Sequence, residues 1–232
     1  MGSFESLKYG SGTSARLYVS GVERTAGAGG SGKPGILVLH PWWGLNQDVM
    51  DFADQLAHEG YAAAAPDMFN GKVETTVEGA ERTSDAAAQA VVGSIVLAAV
   101  DWLAGRVEPA PVAVLGFSYG AAWAIWAPTR RPDLQATVVY YGTWTGEVIA
   151  GARVPLLGHF AENDPYETEE NVATLEEELK KAGREAEIHR YPGTGHWFAE
   201  PSRKDAYDPK AAELAFGRML RFLEARLREP AR

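Results

Sequence analysis

The sequence contains no cysteine, which excludes disulfide bonds, thiolate metal sites and a cysteine nucleophile. It also has no short run rich in lysine and arginine, and its formal net charge is −9, with 22 basic and 31 acidic residues. Nucleic-acid binding normally needs a concentrated basic face, so this balance argues against a nucleic-acid partner. The 232 residues are enough to build one substantial core without metals or crosslinks. We therefore predict a single domain covering residues 1–232.

Signals for a membrane or for export are also scarce. The N-terminus lacks a basic start followed by an apolar segment, so we do not expect a secretory signal. The longest apolar stretch, residues 86–100, is interrupted by Gln89, Gly93 and Ser94 and is shorter than the roughly 20 residues that span a bilayer. We expect a soluble cytoplasmic protein without a membrane partner, either a monomer or a homodimer.

The first 34 residues differ in character from the rest of the chain. Two short alternating stretches, residues 7–9 and 16–19, predict an N-terminal hairpin. Residues 25–32 follow as a flexible Gly-rich loop by composition. The loop contains a formal G-x-G-x-x-G pattern, but a proline and a strand follow it, whereas a dinucleotide site requires a helix there. We therefore do not interpret it as a nucleotide site.

From residue 35 onward, apolar strands alternate with helices of ten or more residues. This alternation predicts a mostly parallel central sheet with helices on both faces, which is a three-layer α/β fold. The predicted strands are residues 35–40, 61–65, 112–115, 136–140, 154–160 and 187–191. The predicted helices begin near residues 46, 84, 120, 167 and 208 and end near residues 59, 105, 127, 182 and 227.

The most specific local motif is a G-x-S-x-G pattern at residues 116–120, centred on Ser118. It lies between a predicted strand and a predicted helix. A nucleophile at such a sharp turn has a strained backbone, and the flanking glycines let neighbouring segments approach closely. The hydroxyl then lies at the positive end of the following helix. The motif predicts a nucleophilic serine, and the alternative is an ordinary Gly-rich turn.

A serine hydroxyl is a weak nucleophile until a base removes its proton. Of the five histidines, His196 lies in a Gly-rich loop after the last predicted strand, at the same edge of the sheet as Ser118. The others fit less well. His40 ends the first core strand, and we interpret the three remaining histidines as structural: His58, His159 and His189.

The base in turn needs a carboxylate that fixes its tautomer and stabilises its charged form. Asp164 follows the predicted strand 154–160 and is our candidate, with Glu162 as its rival. The resulting order of Ser118, Asp164 and His196 is the nucleophile–acid–histidine order of α/β-hydrolases. Three roles at three strand ends, in that order, are more specific than any one motif.

An oxyanion hole needs two backbone N–H groups aimed at the developing charge. Tyr119, directly after the nucleophile, is one candidate donor. The loop after the first core strand should supply the other, and Trp42 is the better choice there because Pro41 has no N–H. Nearby aromatic residues are candidates for substrate binding, with core packing as the alternative: Trp43, Trp144, Trp197 and Phe198.

These motifs together resemble the dienelactone hydrolase family, over residues 35–223. The resemblance implies a compact α/β-hydrolase domain without a large lid that opens ester or lactone bonds and uses no cofactor. It also supports Ser118, Asp164 and His196 as the triad and Trp42 as an oxyanion donor. It is carried by residues 40–46 (H-P-W-W-G-L-N), 61–67 (Y-A-A-A-A-P-D), 116–120 (G-F-S-Y-G), 140–142 (Y-Y-G) and 195–198 (G-H-W-F).

The chain departs from the family pattern at three positions. The best-known members have a cysteine where this chain has Ser118, a glutamate where it has Pro41 and an arginine where it has Glu200. Arginine at such a site holds a substrate carboxylate by bidentate bonds. Arg82 and Arg203 are alternative candidates for that role, although each is also explained as a surface charge.

The function predicted from these observations is hydrolysis of small hydrophobic or aromatic esters or lactones through an acyl-enzyme. Two alternatives stay open: an acyltransferase that uses the same triad, and a non-catalytic hydrolase-like domain that binds a ligand. We predict no metal site, because no cluster of histidine, aspartate and glutamate has convincing ligand spacing.

Overall fold

The computed structural model describes residues 1–22 and 31–228. Residues 25–30 of the predicted Gly-rich loop, with most of its glycine pattern, lie outside the described residues. In the described ranges, strands alternate with helices along most of the chain, which confirms the α/β class. The chain divides into an N-terminal unit, Met1–Leu115, and a C-terminal unit, Gly116–Arg232. The organisation as one domain stays a prediction.

The N-terminal unit contains four strands that pair in the order β1-β2-β4-β3. The predicted N-terminal hairpin is present, since β1 and β2 pair antiparallel, and β2 also pairs antiparallel with β4. The pair β3 and β4 is parallel, and every residue of both strands is buried. Their continuous apolar runs are typical of strands covered on both faces. The strands are β1 (Ser3–Tyr9), β2 (Thr13–Ser20), β3 (Gly35–Leu39) and β4 (Ala62–Pro66).

Three helices belong to this unit: α1 (Gln47–His58), α2 (Val77–Ala86) and α3 (Gln89–Val107). The predicted cap of α1 is present, because the Asn46 side chain accepts a hydrogen bond from the N–H of Val49 at 3.2 Å. Helix α1 packs against β2 and β4, and α3 packs against β3 and β4.

The prediction of one helix over residues 84–105 is wrong. Ser84 and Asp85 belong to the end of α2, which begins earlier at its own cap, where Thr76 accepts from the N–H of Gly79 at 3.2 Å. The chain then becomes extended at Ala87 and Ala88, with ψ of 109° and 118°, before α3 begins. Alanine is the best helix former, so nothing in the sequence marks this break.

Helix α3 is apolar around most of its circumference, as the sequence predicts. By length and composition it is the one helix in the described ranges that could cross a membrane, and 44% of the tested window is buried inside the protein. The core helix of a globular protein passes the same test, so this is weak evidence for a membrane segment. Most of its apolar side chains are buried, although Val91 is exposed.

The C-terminal unit carries β6, β7 and β8 as parallel neighbours in that order. The unit boundary falls inside β5, between Leu115 and Gly116. The strands are β5 (Val112–Phe117), β6 (Ala136–Tyr140), β7 (Leu156–Asn163) and β8 (Ala186–Gly195). The helices are α4 (Tyr119–Trp126), α5 (Glu147–Gly151), α6 (Glu169–Lys181) and α7 (Pro209–Leu227), with a 3-10 turn at Ala127–Thr129.

Strands β7 and β8 are longer than predicted, and their additional residues lead directly to Asp164 and His196. The predicted ends were residues 160 and 191, whereas pairing continues until Asn163 lies opposite Gly195. A register shift between Ala161 and Asn163 makes this extension possible. Neither end continues an apolar run, which explains why the extension was not predicted: Glu162 and Asn163 of β7 are polar and exposed, and residues 192–195 of β8 include proline and two glycines.

His40 is a buried structural residue at the end of β3. Its Nε2 accepts the N–H of Met68 at 3.0 Å, so its Nδ1 carries the proton and donates to the carbonyl of Pro41 at 2.7 Å. Both ring nitrogens are therefore satisfied in the neutral form. Burial lowers the pKa of His40 from 6.5 to about 4.

This histidine should make stability depend on pH. Between pH 6.5 and 4 the unfolded chain protonates His40 and the folded chain does not. Its contribution to the unfolding free energy is therefore fully present above pH 6.5 and is lost as pH falls to 4, by on the order of 3 kcal/mol. Urea unfolding at several pH values measures the slope, which should flatten in His40→Gln.

The matched control is His58→Gln, which removes the same side chain from an exposed position on α1. His159 and His189 also have lowered pKa values and add slope of the same sign, so the difference between variants is the quantity to compare. Equal slopes in His40→Gln and the parent would contradict the assignment.

Candidate active site

Ser118 occupies a strained turn between β5 and α4. Its backbone has φ 48° and ψ −112°, a conformation that costs a non-glycine residue about 1–3 kcal/mol. Two hydrogen bonds hold it there: the N–H of Ser118 donates to the carbonyl of Tyr140, and the N–H of Ala121 donates to the carbonyl of Ser118, at 2.9 and 2.8 Å. The predicted strand–serine–helix turn is therefore present.

Two glycines let the backbone pass close to this turn. A Cβ at Gly116 would lie 2.2 Å from the carbonyl oxygen of Gly120, so the first glycine of the motif has no room for a side chain. A Cβ at Gly142 would lie 2.5 Å from the carbonyl oxygen of Ser118 and 2.6 Å from Cβ of Ala121. Gly142 entered the sequence analysis only as part of the Y-Y-G motif, and the structure supplies its physical reason.

The structure brings Ser118, Asp164 and His196 together in one hydrogen-bonded chain. Oγ of Ser118 lies 2.9 Å from Nε2 of His196, and Nδ1 of His196 lies 2.7 Å from Oδ2 of Asp164. Asp164 and His196 directly follow the paired residues Asn163 and Gly195, so adjacent parallel strands deliver them side by side. Their side chains are 1% and 3% exposed, which keeps water from competing for the contact.

The carboxylate of Asp164 is fixed by the backbone that follows it. Its Oδ1 accepts the N–H groups of Tyr166 and Glu167, both at 2.9 Å, and leaves Oδ2 for the imidazole. A carboxylate accepts, so Nδ1 of His196 carries the proton and Nε2 faces the serine as an acceptor. The rival acid, Glu162, is exposed and accepts the N–H of Gly193 at 2.8 Å.

Aromatic side chains surround the imidazole of His196. The rings of Tyr141, Tyr166 and Trp197 have centroids 4.9, 5.0 and 5.1 Å from it. Trp197 has a positive φ of 69°, which is unusual for a bulky residue and turns the chain directly after the histidine. The arrangement restricts the ring of His196 on several sides.

Glu200 is a buried residue behind this aromatic group. Its Oε1 accepts the hydroxyl of Tyr141 at 2.9 Å, and both residues are buried. The sequence analysis singled out Glu200 only as a departure from the family pattern, and its contact with Tyr141 was missed because the two lie 59 residues apart. Of the alternative cations, Arg203 lies over the ring of Trp197 at 4.6 Å, and Arg82 is exposed on α2.

The other predicted site residues occupy different environments. Tyr119 is the first residue of α4, where a backbone N–H has no intrahelical acceptor. Trp144 is half-buried against Trp123, with ring centroids 6.1 Å apart, whereas Phe198 is fully buried. Trp42 and Trp43 belong to the N-terminal unit. Within residues 1–22 and 31–228, no group of three potential metal ligands was found.

The comparison with known protein families decides the affiliation of the chain. The model of the dienelactone hydrolase family matches residues 24–227. This chain belongs to the dienelactone hydrolase family. The resemblance inferred from the motifs is thereby confirmed, and with it the enzyme class, a hydrolase that acts on ester or lactone bonds.

Individual relatives agree with this membership. The chain is 30% identical to "Protein usf" of Aquifex pyrophilus over 204 residues, which cover 83% of this chain and 88% of that protein. It is 27% identical to "Putative carboxymethylenebutenolidase" of Aquifex aeolicus over 211 residues, or 84% and 89% of the two chains. A solved structure described as a "Putative Dienelactone Hydrolase" from Klebsiella pneumoniae has a TM-score of 0.82 at 22% identity, covering 95% of this chain and 97% of that one. That likeness confirms the α/β-hydrolase fold.

The close approach at Gly142 gives a prediction for the turn. Gly142→Ala should displace the Ser118 carbonyl or Ala121, because neither contact can be relieved by rotating a flexible side chain. We expect esterase activity to fall at least tenfold and the unfolding free energy to fall by about 1–3 kcal/mol, as for overpacked sites. Aryl acetate hydrolysis and urea unfolding measure the two effects.

Gly105→Ala is the matched control, since Gly105 lies in α3 and a Cβ there would meet nothing within 4 Å. Alanine in a helix interior is favoured over glycine by about 1 kcal/mol, so this variant should keep its activity and not lose stability. Full activity in Gly142→Ala would contradict the steric account.

Proposed function

We propose that Ser118, Asp164 and His196 form a catalytic triad that hydrolyses carboxylic esters or lactones through an acyl-enzyme. The observation that carries the proposal is the continuous contact from Oγ to Nε2 and from Nδ1 to Oδ2, at 2.9 and 2.7 Å. These distances are within the reach required of a nucleophile, its base and the group that orients the base. Membership in a hydrolase family gives independent support.

In the proposed first step, Oγ of Ser118 attacks the carbonyl carbon of the substrate while Nε2 of His196 takes the hydroxyl proton. The tetrahedral intermediate collapses when the C–O bond to the leaving alcohol breaks, and His196 returns the proton to that alcohol. For a lactone the alcohol stays attached to the acyl group. In the second step His196 takes a proton from water, the hydroxide attacks the acyl-enzyme, and the acid leaves as Ser118 regains its proton.

Asp164 stays ionised in this scheme and stabilises the imidazolium that forms in both steps. Its second oxygen, held by two backbone N–H groups, keeps the carboxylate from rotating away from His196. The imidazole is therefore oriented before a substrate binds, and little reorganisation accompanies the reaction.

The negative charge on the tetrahedral intermediate needs two N–H donors. We propose the backbone N–H of Tyr119 as one, because it opens α4 next to the nucleophile, at the positive end of the helix dipole. For the second donor we keep the sequence-based choice of Trp42. Each donor of this kind typically lowers the barrier by roughly 3–4 kcal/mol.

We propose small, uncharged acyl or aryl groups as the preferred substrates. Trp144 is half-buried, and Trp197 and Tyr166 border the imidazole. Glu200 occupies the position at which the best-known family members have an arginine. It accepts a hydrogen bond from the hydroxyl of Tyr141, whose ring lies beside His196. Glu200 supplies no positive charge that could hold a substrate carboxylate.

The triad is tested by replacing each member separately. We expect Ser118→Ala and His196→Ala to lower kcat for a short-chain aryl acetate by about 10⁴–10⁶-fold, and Asp164→Asn by about 10⁴-fold, because triad members act as a unit. Glu162→Gln is the control for the acid and should keep nearly full activity. Full activity in Ser118→Ala, or a larger loss in Glu162→Gln than in Asp164→Asn, would contradict the assignment.

The substrate class is tested at Trp197. Trp197→Ala should reduce kcat/KM more for aryl and medium-chain esters than for methyl acetate, by about 10–100-fold, because an apolar wall is worth roughly 1–3 kcal/mol. Trp197→Phe keeps an aromatic wall and serves as the control. An unchanged order of substrate preference in Trp197→Ala would argue against a pocket built on this residue.

A further inference from the structure

Helix α7 presents a row of arginines to strand β8, away from the residues proposed for catalysis. Arg218, Arg221 and Arg226 lie at positions i, i+3 and i+8, which share one face of a helix. Glu187 and His189 are two residues apart on β8 and therefore point to the same side of the sheet. These five side chains line a cavity of about 230 Å³, together with the apolar Phe222.

Two of the arginines have no carboxylate partner within residues 1–22 and 31–228. Arg218 lies over the ring of Tyr191, 5.3 Å from its centroid. Neither Arg218 nor Arg221 forms an ion pair with any acidic residue in the described ranges. Such pairs are plentiful elsewhere, and the chain has 31 acidic residues against 22 basic ones. Two guanidinium groups without an ion pair in the described ranges thus lie on one wall of the cavity.

The third arginine is only partly satisfied. Arg226 pairs with Glu185 through its Nη2, whereas its Nε is buried without a hydrogen-bond partner among the residues described. Among the described residues, the one carboxylate on the cavity wall is that of Glu187, which lies 3.8 Å from Nε2 of His189. The lining thus has three guanidinium charges against one carboxylate.

The pKa values of the two histidines beside the cavity are lowered by burial and by the nearby arginines. Burial lowers the pKa of His189, and the neighbouring Arg218 and Arg221 lower it further. Behind it, His159 stacks on His189 with centroids 5.9 Å apart, and its Nδ1 meets the hydroxyl of Tyr191 at 2.7 Å. Both shifts favour the neutral imidazole, so the positive charge of the wall comes from the arginines.

We propose that this cavity between α7 and β8 binds a small organic oxyanion through a phosphate or carboxylate group held by Arg218, Arg221 and Arg226. Guanidinium groups recognise both kinds of oxyanion by paired N–H donors, and Phe222 offers an apolar wall to the rest of the ligand. None of Ser118, Asp164 and His196 lines the cavity, so the site is separate from the proposed triad.

Binding is tested with phenyl phosphate and with succinate, at constant ionic strength set by chloride so that general screening is the same in every sample. Isothermal titration gives the affinity, and the imidazole signals of His189 report the location by NMR. Binding of either anion should raise the pKa of His189, since it offsets the nearby guanidinium charges. The tighter of the two ligands identifies the preferred oxyanion.

Arg221→Gln is the decisive variant, because Arg221 is exposed on α7 and its removal leaves no ion partner behind among the residues that the structure describes. We expect it to weaken anion binding at least tenfold while hydrolysis of an aryl acetate stays unchanged. Lys210→Gln removes the same charge from the same helix outside the cavity and should bind as the parent does. Arg221→Lys keeps the charge without the paired donors and should bind with intermediate affinity.

Several results would overturn the proposal. They are the absence of binding by both anions, equal affinity in Arg221→Gln and the parent, or a His189 signal that does not move when the ligand binds. Each of these is independent of the triad variants, so failure here leaves the proposed esterase mechanism untouched.

Discussion

The pairing of β7 with β8 is the constraint on which the rest of the site depends. Because Asn163 lies opposite Gly195, the next residues of the two parallel strands, Asp164 and His196, emerge as neighbours at one edge of the sheet. The short contact between imidazole and carboxylate is thus a result of strand register rather than of a flexible loop. Backbone N–H groups then hold the free oxygen of Asp164, so the sheet and the following turn together determine where the imidazole points.

The sequence predicted most of this arrangement for identifiable reasons. The buried strands were recognisable because parallel strands covered on both faces are continuous apolar runs, and Ser118 because its glycines are required by close backbone contacts. The helix boundary at Ala87 was not predictable, since two alanines carry no signal for an extended backbone. The ends of β7 and β8 were missed although their backbones still pair. In β7 the last residues, Glu162 and Asn163, are polar and exposed, and in β8 residues 192–195 include proline and two glycines.

Contacts between residues far apart in the chain were the features that the sequence analysis most often missed. Tyr141 and Glu200 form a buried hydrogen bond beside the imidazole, yet neither residue type nor local pattern points to the other. The arginines of α7 are spaced as any exposed helix face would be, and only the fold brings His189 and Glu187 opposite them. A sequence pattern identifies reactive residues such as Ser118. The role of Glu200, or of the α7 arginines, depends on residues distant in the sequence and is recognised only in the three-dimensional structure.

The pairing of β7 with β8 also constrains the length of β7 in this chain. Side chains alternate between the two faces of a strand, so removing one residue between Leu156 and Asp164 would exchange the faces for everything beyond the deletion. The carboxylate would then point away from the histidine even though every residue of the triad was retained. The number of residues in the end of this strand is therefore as much a part of the site as their identity, and insertions are better tolerated in the surface turns that follow.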